Sequence, residues 1–151
     1  MNANRFLSKI GKKKSGASVP SISTYQAVKL VLTATDLPNL ETFGMSDPYF
    51  KVYGYSLTGE HQLLYTSEVV AGTVEFVKWK EAIFGISKST IFAKFKVIVF
   101  DKEFMGTDRI LAGPVDISIK DLEKRTSVSL GVGKAKIQVN KFEKIWKVYL
   151  G

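Results

Sequence analysis

The sequence predicts an all-β fold in which about eight short antiparallel strands form a sandwich or a barrel. From residue 27 onward, short apolar runs rich in Val, Ile, Phe and Tyr are separated by clusters of Gly, Pro, Asp, Asn and Ser. No long helical period interrupts this pattern, since only residues 121–125 offer a single helical turn. Both observations are typical of a chain that turns back after every strand.

Eight segments carry the strand pattern, and residues 92–100 show it most plainly. Along this segment Phe92, Lys94, Lys96 and Ile98 alternate with Ala93, Phe95, Val97 and Val99. Because successive side chains of a strand point to opposite faces, we expect one set to face outward and the other to face the core. The predicted strands are residues 28–35, 49–55, 62–70, 79–86, 92–100, 110–119, 126–130 and 136–142.

Length and composition predict one domain with its own hydrophobic core. The chain has 151 residues, of which 45% are hydrophobic, and this suits a single core. The absence of cysteine excludes a disulfide framework and fits a reducing compartment. The N-terminus lacks the apolar region of a signal peptide, and no apolar run is long enough to span a bilayer. We therefore expect a cytoplasmic monomer whose membrane contacts are peripheral.

The charge of the chain points to a polyanionic partner. Lys and Arg total 22 against 14 Asp and Glu, so the net charge is +8. Phospholipid headgroups, nucleic acid and acidic proteins would all be attracted by this charge. Lys12, Lys13 and Lys14 form a basic run, and residues 15–23 are dominated by Ser, Gly, Ala and Pro. Residues 1–26 are therefore predicted to be a flexible basic arm.

The sequence lacks the residue types that catalysis needs. His61 is the only histidine, cysteine is absent, and no glycine-rich phosphate-binding loop occurs. We therefore expect no enzymatic activity. Nucleic-acid binding is disfavoured as well, because aromatic residues on alternating strands mostly face the core and so do not stack on bases.

Three short motifs give the sequence a family resemblance. Residues 46–49 read Ser-Asp-Pro-Tyr and follow an apolar strand that ends at residues 34–38 in Ala-Thr-Asp-Leu-Pro. Residues 79–84 read Trp-Lys-Glu-Ala-Ile-Phe, and residues 97–101 read Val-Ile-Val-Phe-Asp. In this order and spacing the motifs resemble the C2 domain, a family of calcium-dependent phospholipid-binding domains. The resemblance covers residues 27–144 and leaves residues 145–151 as a C-terminal tail.

The resemblance implies an antiparallel, eight-stranded C2-type β-sandwich. C2 domains occur as two circular permutations, in which the strand that completes the sandwich either precedes the first motif or ends the chain. Residues 15–26 make a poor strand, whereas residues 134–142 follow a Gly-Val-Gly turn and make a good one. The sequence therefore favours closure by the C-terminal strand, the arrangement called type II.

The resemblance also implies a calcium site formed by two loops at one end of the sandwich. Carried over position by position, the first loop supplies Glu41 and Asp47, and the third loop supplies Asp101 and Glu103. Calcium takes six to eight oxygen ligands, so clustered carboxylates suit it. Glu41 and Glu103 stand where aspartate is usual, which makes the geometry of the site an open question.

The last ligand position of the family falls on a cation. Arg109 occupies this position and would either repel calcium or fill part of the site with its guanidinium. One residue of slack in the loop would instead let Asp108 serve as a ligand. In the competing interpretation, all these carboxylates only balance nearby lysines on the surface.

The expected function is calcium-dependent binding to anionic phospholipid membranes, with phosphatidylserine or phosphoinositides as the lipid. The alternative is a calcium-independent C2 fold that binds phosphoinositides or a protein partner. Apolar residues at the loop tips would insert into the bilayer, and lysines on the strands or in the arm would contact headgroups. These predicted lipid-binding residues are Phe43, Met45, Phe104 and Met105 at the tips, with Lys12, Lys13, Lys14, Lys51, Lys94 and Lys96 as the cations.

Overall fold

The computed structural model describes residues 22–87, 92–124 and 128–150. Within these ranges the chain forms nine strands and one short helix. Their bounds are β1 (Ile22–Thr35), β2 (Pro48–Ser56), β3 (His61–Thr66), β4 (Phe76–Lys78), β5 (Ala82–Ser87), β6 (Phe92–Asp101), β7 (Arg109–Ser118), α1 (Ile119–Lys124), β8 (Val128–Val132) and β9 (Ala135–Leu150).

The strands form two antiparallel sheets that pack face to face. One sheet has the order β3-β2-β6-β7, and in the other β9 lies between β1 and β8. Both β4 and β5 pair with the remaining edge of β1, so together they act as one interrupted strand. Each sheet therefore has four strand positions, which confirms the predicted eight-stranded sandwich.

Trp79 lies in the interruption between β4 and β5, and its side chain fills part of the core. Its side chain is buried between the sheets and meets the ring of Phe50 edge to face, with 5.0 Å between ring centroids. Its indole Nε1 donates a hydrogen bond to the carbonyl oxygen of Pro48 at 3.2 Å. The strand predicted at residues 79–86 is wrong at its start, because residues 79–81 separate β4 from β5, although the N–H of Trp79 still donates a hydrogen bond to the carbonyl oxygen of Leu32 in β1 at 3.4 Å.

The last strand closes the sandwich, as predicted for the type II arrangement. It pairs with β1 from Ile22 opposite Leu150 to Thr35 opposite Lys136. Both strands are longer than expected, since β1 was predicted to begin at residue 28 and β9 to end at residue 142. Residues 22–26 are mostly polar and predict no strand by themselves, but their main chain pairs with residues 146–150. The ladder thus includes residues assigned to the arm and the tail.

The alternation predicted along residues 92–100 is confirmed for most positions of β6. Phe95, Val97 and Val99 are buried in the core, whereas Lys94 and Lys96 face outward. The exception is the first residue of the strand, which packs against the core beside a register shift.

The helical turn predicted near residue 121 is helix α1. In the described ranges, no helix is long and apolar enough to cross a membrane.

Three loops meet at one end of the sandwich, which we call the loop end. The first loop (residues 36–47) joins β1 to β2, the second loop (residues 67–75) joins β3 to β4, and the third loop (residues 102–108) joins β6 to β7. The register places these connections together, since Pro48 lies opposite Asp101 and Asp101 lies opposite Arg109. Thr35 lies opposite Phe76 in the other sheet. Residues far apart in the sequence therefore share this end.

Candidate functional site at the loop end

The first loop is shaped by hydrogen bonds to two of its own side chains. Asn39 Oδ1 accepts hydrogen bonds from the backbone N–H groups of Ser46 at 2.9 Å and Glu41 at 3.2 Å. The buried Ser46 accepts another from the N–H of Leu40 through Oγ, at 3.0 Å. Asn39 was not among the predicted site residues, although an Asn that bonds the backbone two residues later is a known turn signal. These bonds fix the backbone position from which the Glu41 side chain extends.

Three of the predicted calcium ligands lie together. Carboxylate oxygens of Glu41, Asp101 and Glu103 lie within 4.8 Å of one another. Asp101 ends β6 and is fully buried, and its Oδ1 accepts a hydrogen bond from the N–H of Asp47 at 2.9 Å. In the described part of the chain, its Oδ2 has no hydrogen-bond partner. The first and third loops thus bring three acids around one buried oxygen.

The guanidinium of Arg109 lies among these three acids. Its Nη2 is 2.7 Å from Glu41 Oε2, 3.3 Å from Glu103 Oε2 and 3.6 Å from Asp101 Oδ2. The same nitrogen donates a hydrogen bond to the carbonyl oxygen of Leu40 at 2.9 Å. The expectation that a guanidinium fills part of the site therefore describes this geometry.

Asp47, predicted as a central ligand, is turned toward the second loop. Its Oδ1 accepts a hydrogen bond from the N–H of Gly72 at 2.7 Å. Its carbonyl oxygen accepts another from the N–H of Lys102 at 3.0 Å. Asp47 thus ties the three loops together and lies outside the group of three acids. The bond to Gly72 is a long-range contact that no local sequence pattern indicates.

Asp108, the predicted auxiliary ligand, is also held by other groups. It accepts hydrogen bonds from the hydroxyl of Tyr49 at 2.5 Å and from the N–H of Glu103 at 2.8 Å. Its Oδ2 lies 3.7 Å from Lys102 Nζ. Asp108 therefore stabilises the third loop from within and does not face Arg109.

The fold lowers the pKa values of two carboxyl groups at this end and raises the pKa of one tyrosine hydroxyl. The hydroxyl of Tyr49, and after it the N–H of Glu103, lower the pKa of Asp108. Burial, and then the Asp108 carboxylate, raise the pKa of Tyr49 to about 12. Burial acts to raise the pKa of Asp101, but the N–H of Asp47 leads the contacts that outweigh it and lower this pKa. Asp101 is therefore charged in the folded protein.

Apolar side chains project from the tips of the first and third loops. Phe104 is 99% exposed, Phe43 is 90% exposed and Met105 is 80% exposed, whereas Met45 is less exposed. Side chains this exposed contribute little to the hydrophobic core, so they are available to be buried against another surface. The four predicted tip residues thus form one apolar crown on the loop end.

Lys102 and Arg109 are more exposed than the three clustered acids of the loop end. The side chains of Lys102 and Arg109 are 57% and 47% exposed, whereas those of the three clustered acids range from 0% at Asp101 to 29% at Glu41. Asp36 and Glu75, on the first and second loops, are exposed as well, so the loop end presents charges of both signs.

The predicted lysine patch lies elsewhere, on the outer face of the β3-β2-β6-β7 sheet. Lys94 Nζ and Lys96 Nζ lie 2.9 and 3.5 Å from the two carboxylate oxygens of Asp116. Both ammonium groups also lie over the ring of Tyr55, at 5.6 and 4.8 Å from its centroid. Lys51 shares this face. The remaining predicted cations, Lys12, Lys13 and Lys14, lie outside the described residues.

Comparisons with known proteins agree with this architecture. A family model described as "C2 domain" matches residues 28–132. The structure of BON1-C2B is 20% identical, with a TM-score of 0.62 over 80% of this chain and 92% of that chain. A C2 domain of plant Extended Synaptotagmin 1 is 14% identical, with a TM-score of 0.57 over 85% of this chain and 98% of that chain.

A larger protein contains a similar domain. Human GIVD cytosolic phospholipase A2 is 18% identical, with a TM-score of 0.60, and the match covers 83% of this chain but only 18% of that chain. No curated protein shows significant sequence similarity to this chain. At these identities the structural matches establish the fold alone.

Proposed function

The chain belongs to the C2 domain family, and we propose that it is a non-catalytic module that docks on anionic phospholipid membranes through its loop end. The observation that carries this proposal is the apolar crown, whose most exposed members are Phe43, Phe104 and Met105 and which projects beside two exposed cations. A docked module of this kind is peripheral and faces the cytoplasmic leaflet, where anionic lipids are enriched.

Apolar insertion supplies most of the proposed docking energy. Moving one Phe or Met side chain from water into hydrocarbon contributes roughly 1.5–3 kcal/mol. A cation near an anionic leaflet contributes about 1 kcal/mol, and Lys102 and Arg109 are placed to contribute in this way. Because the tips are already exposed, docking removes them from water without opening the core.

The residues present fit a calcium ion only in part. Three clustered carboxylates and the unpartnered oxygen of Asp101 suit such an ion. However, Arg109 places a positive charge within the cluster, and Asp47 and Asp108 are hydrogen-bonded to other groups. Calcium dependence, which the sequence led us to expect, therefore becomes the alternative to calcium-independent docking, and chelation during the binding experiment distinguishes the two.

Cosedimentation with vesicles tests the proposal. We expect the protein to sediment with vesicles of phosphatidylserine and phosphatidylcholine, and to bind pure phosphatidylcholine less well because the +8 net charge then finds no anion. Exchange of both aromatic tips, Phe43→Ser with Phe104→Ser, should weaken binding about a hundredfold, since two buried phenyl groups are lost.

Leu57→Ser is the matched control for the tips. Leu57 is 83% exposed, but it lies in the β2–β3 turn, at the opposite end of the sandwich. This variant should bind as the wild type does. If the control loses as much affinity as the double variant, or if the wild type does not sediment with phosphatidylserine, the proposal fails and a protein partner becomes the better explanation.

The lysine face supports a second, calcium-independent candidate function. Lys51, Lys94 and Lys96 lie on one outward face, so the face carries more positive than negative charge around Asp116. A phosphoinositide headgroup carries several negative charges and would be attracted there. Vesicles that contain a phosphoinositide should then bind more tightly than phosphatidylserine vesicles of equal charge density.

A further inference from the structure

Oxygen atoms from three separate parts of the chain converge on one nitrogen of Arg109. The first loop supplies the carbonyl oxygen of Leu40 and a carboxylate oxygen of Glu41. The end of β6 supplies Asp101 Oδ2, and the third loop supplies Glu103 Oε2. All four oxygens lie between 2.7 and 3.6 Å from Nη2.

This set of oxygens is of the kind that surrounds a hard cation. Calcium sites in proteins combine several carboxylates with backbone carbonyl oxygens drawn from different loops. Here one carbonyl and three carboxylates surround a positively charged nitrogen that is covalently part of β7. The fully buried Oδ2 of Asp101 has no hydrogen bond of its own, so Arg109 is the cation nearest to it in the described structure.

We infer that Arg109 is the resident cation of the loop end, and that its guanidinium takes the position and the structural task of a bound divalent metal ion. This inference rests on the proposed function and specifies its regulation. Arg109 ties the first loop to the third loop before any membrane is met, so the apolar crown is assembled without calcium. Docking is then constitutive, and calcium has no site while the guanidinium stays in place.

Loss of the Arg109 guanidinium should have an effect that calcium reverses. Removing the guanidinium leaves three carboxylates close together with no internal cation, which is costly for a partly buried group. The same change opens a set of oxygen ligands to an added metal ion. A variant without Arg109 should therefore be less stable in chelator and should regain its stability with calcium.

Thermal unfolding without membranes is the first test, with Arg109→Gln compared with Lys102→Gln. The control also removes one positive charge from the loop end, but Lys102 contacts Asp108 and not the three clustered acids. In chelator, Arg109→Gln should lower the melting temperature by about 5 °C, and millimolar calcium should restore it. The wild type and the Lys102→Gln variant should show the same melting temperature in calcium and in chelator.

Vesicle binding is the second test. Wild-type affinity for phosphatidylserine vesicles should be equal in calcium and in chelator. Arg109→Gln should bind about tenfold more weakly in chelator and recover in calcium, because the crown is then assembled only by the metal. Arg109→Lys keeps the positive charge and should remain insensitive to calcium.

The two tests separate the inference from the function on which it rests. If the wild type fails to bind vesicles but the melting temperatures follow the expected pattern, the docking proposal fails and the resident cation stands. If calcium raises the melting temperature of the wild type, the inference is overturned whatever the vesicles show. The same conclusion follows if Arg109→Gln unfolds as the wild type does in both conditions. Should Arg109→Gln not fold, the calcium titration of the wild type still decides.

Discussion

The loop end and the outer sheet face each contain a cluster of opposite charges, and the two clusters are built in opposite ways. At the loop end one cation, Arg109, lies among three acids, and Asp101 is completely buried. On the sheet face two cations, Lys94 and Lys96, share one acid, Asp116, and none of the three is buried. The first cluster has an excess of negative charge and the second an excess of positive charge.

This difference shows that the same type of interaction serves two purposes. A buried carboxylate needs its partners, because an uncompensated charge out of water is costly. Exposed ion pairs contribute little to stability, so their members remain available to a ligand. We therefore interpret the loop-end cluster as part of the fold and the sheet-face cluster as a surface that can exchange Asp116 for an anionic headgroup.

The largest effect that distinguishes the two clusters is on stability. Asp101→Ala removes the acceptor of the Asp47 N–H and one of the acids around Arg109, and the lowered pKa of Asp101 indicates that its charge is stabilising. We expect the free energy of unfolding in urea to fall by about 2–3 kcal/mol. Asp116→Ala should lower it by less than about 1 kcal/mol. Equal losses of unfolding free energy in the two variants would mean that burial does not make the loop-end cluster more important for stability than the sheet-face cluster.

A smaller effect is expected where Tyr49 supports the third loop. Tyr49→Phe removes the hydroxyl that donates to Asp108, and a hydrogen bond to a charged acceptor contributes about 1.5 kcal/mol. Because the folded state lowers the pKa of Asp108 below its ordinary 3.8, this contribution is present above that pH and is lost as the pH falls further. Urea unfolding measured from pH 6 down to pH 3 should therefore show a weaker acid dependence in Tyr49→Phe. An unchanged acid dependence would contradict this assignment.

The smallest effects concern the sheet face. Lys94→Gln with Lys96→Gln should weaken binding to phosphoinositide vesicles about fivefold, since the two lysines share Asp116 and contribute together about 1 kcal/mol. Asp116→Asn should instead strengthen this binding, by about threefold, because both ammonium groups lose their competing partner. Neither change should alter stability measurably. A loss of binding in Asp116→Asn would exclude the sheet face as a headgroup site.

Much of the fold could be predicted from the sequence because its signals are local. The alternation in β6 and the turn residues between strands follow from patterns within ten or so residues. Closure by β9 was predicted by the family resemblance together with the strand pattern of residues 134–142. The sequence did not indicate the full length of β1 and β9, since residues 22–26 are held by pairing across the whole chain. Nor did it indicate the break between β4 and β5, because the strand pattern runs on through residues 79–81.

The sequence predicted which residues belong to the candidate site, but not how their side chains are arranged. Family positions identified the acids and placed Arg109 beside them, and the structure brings Glu41, Asp101 and Glu103 together. The direction of each side chain depends on partners from other loops. Asp47 turns to the N–H of Gly72, a contact between residues 25 positions apart, and no spacing rule indicates that choice.

The long ladder between β1 and β9 also determines where this module can be joined to something else. Ile22 and Leu150 lie side by side, and the 14 residues of β1 separate them from the loops. At about 3.3 Å per residue, that distance is about 45 Å. A fluorophore or a fused domain attached at this end would stand well above a bilayer held by the loops, so the sandwich would act as a rigid spacer as well as an anchor.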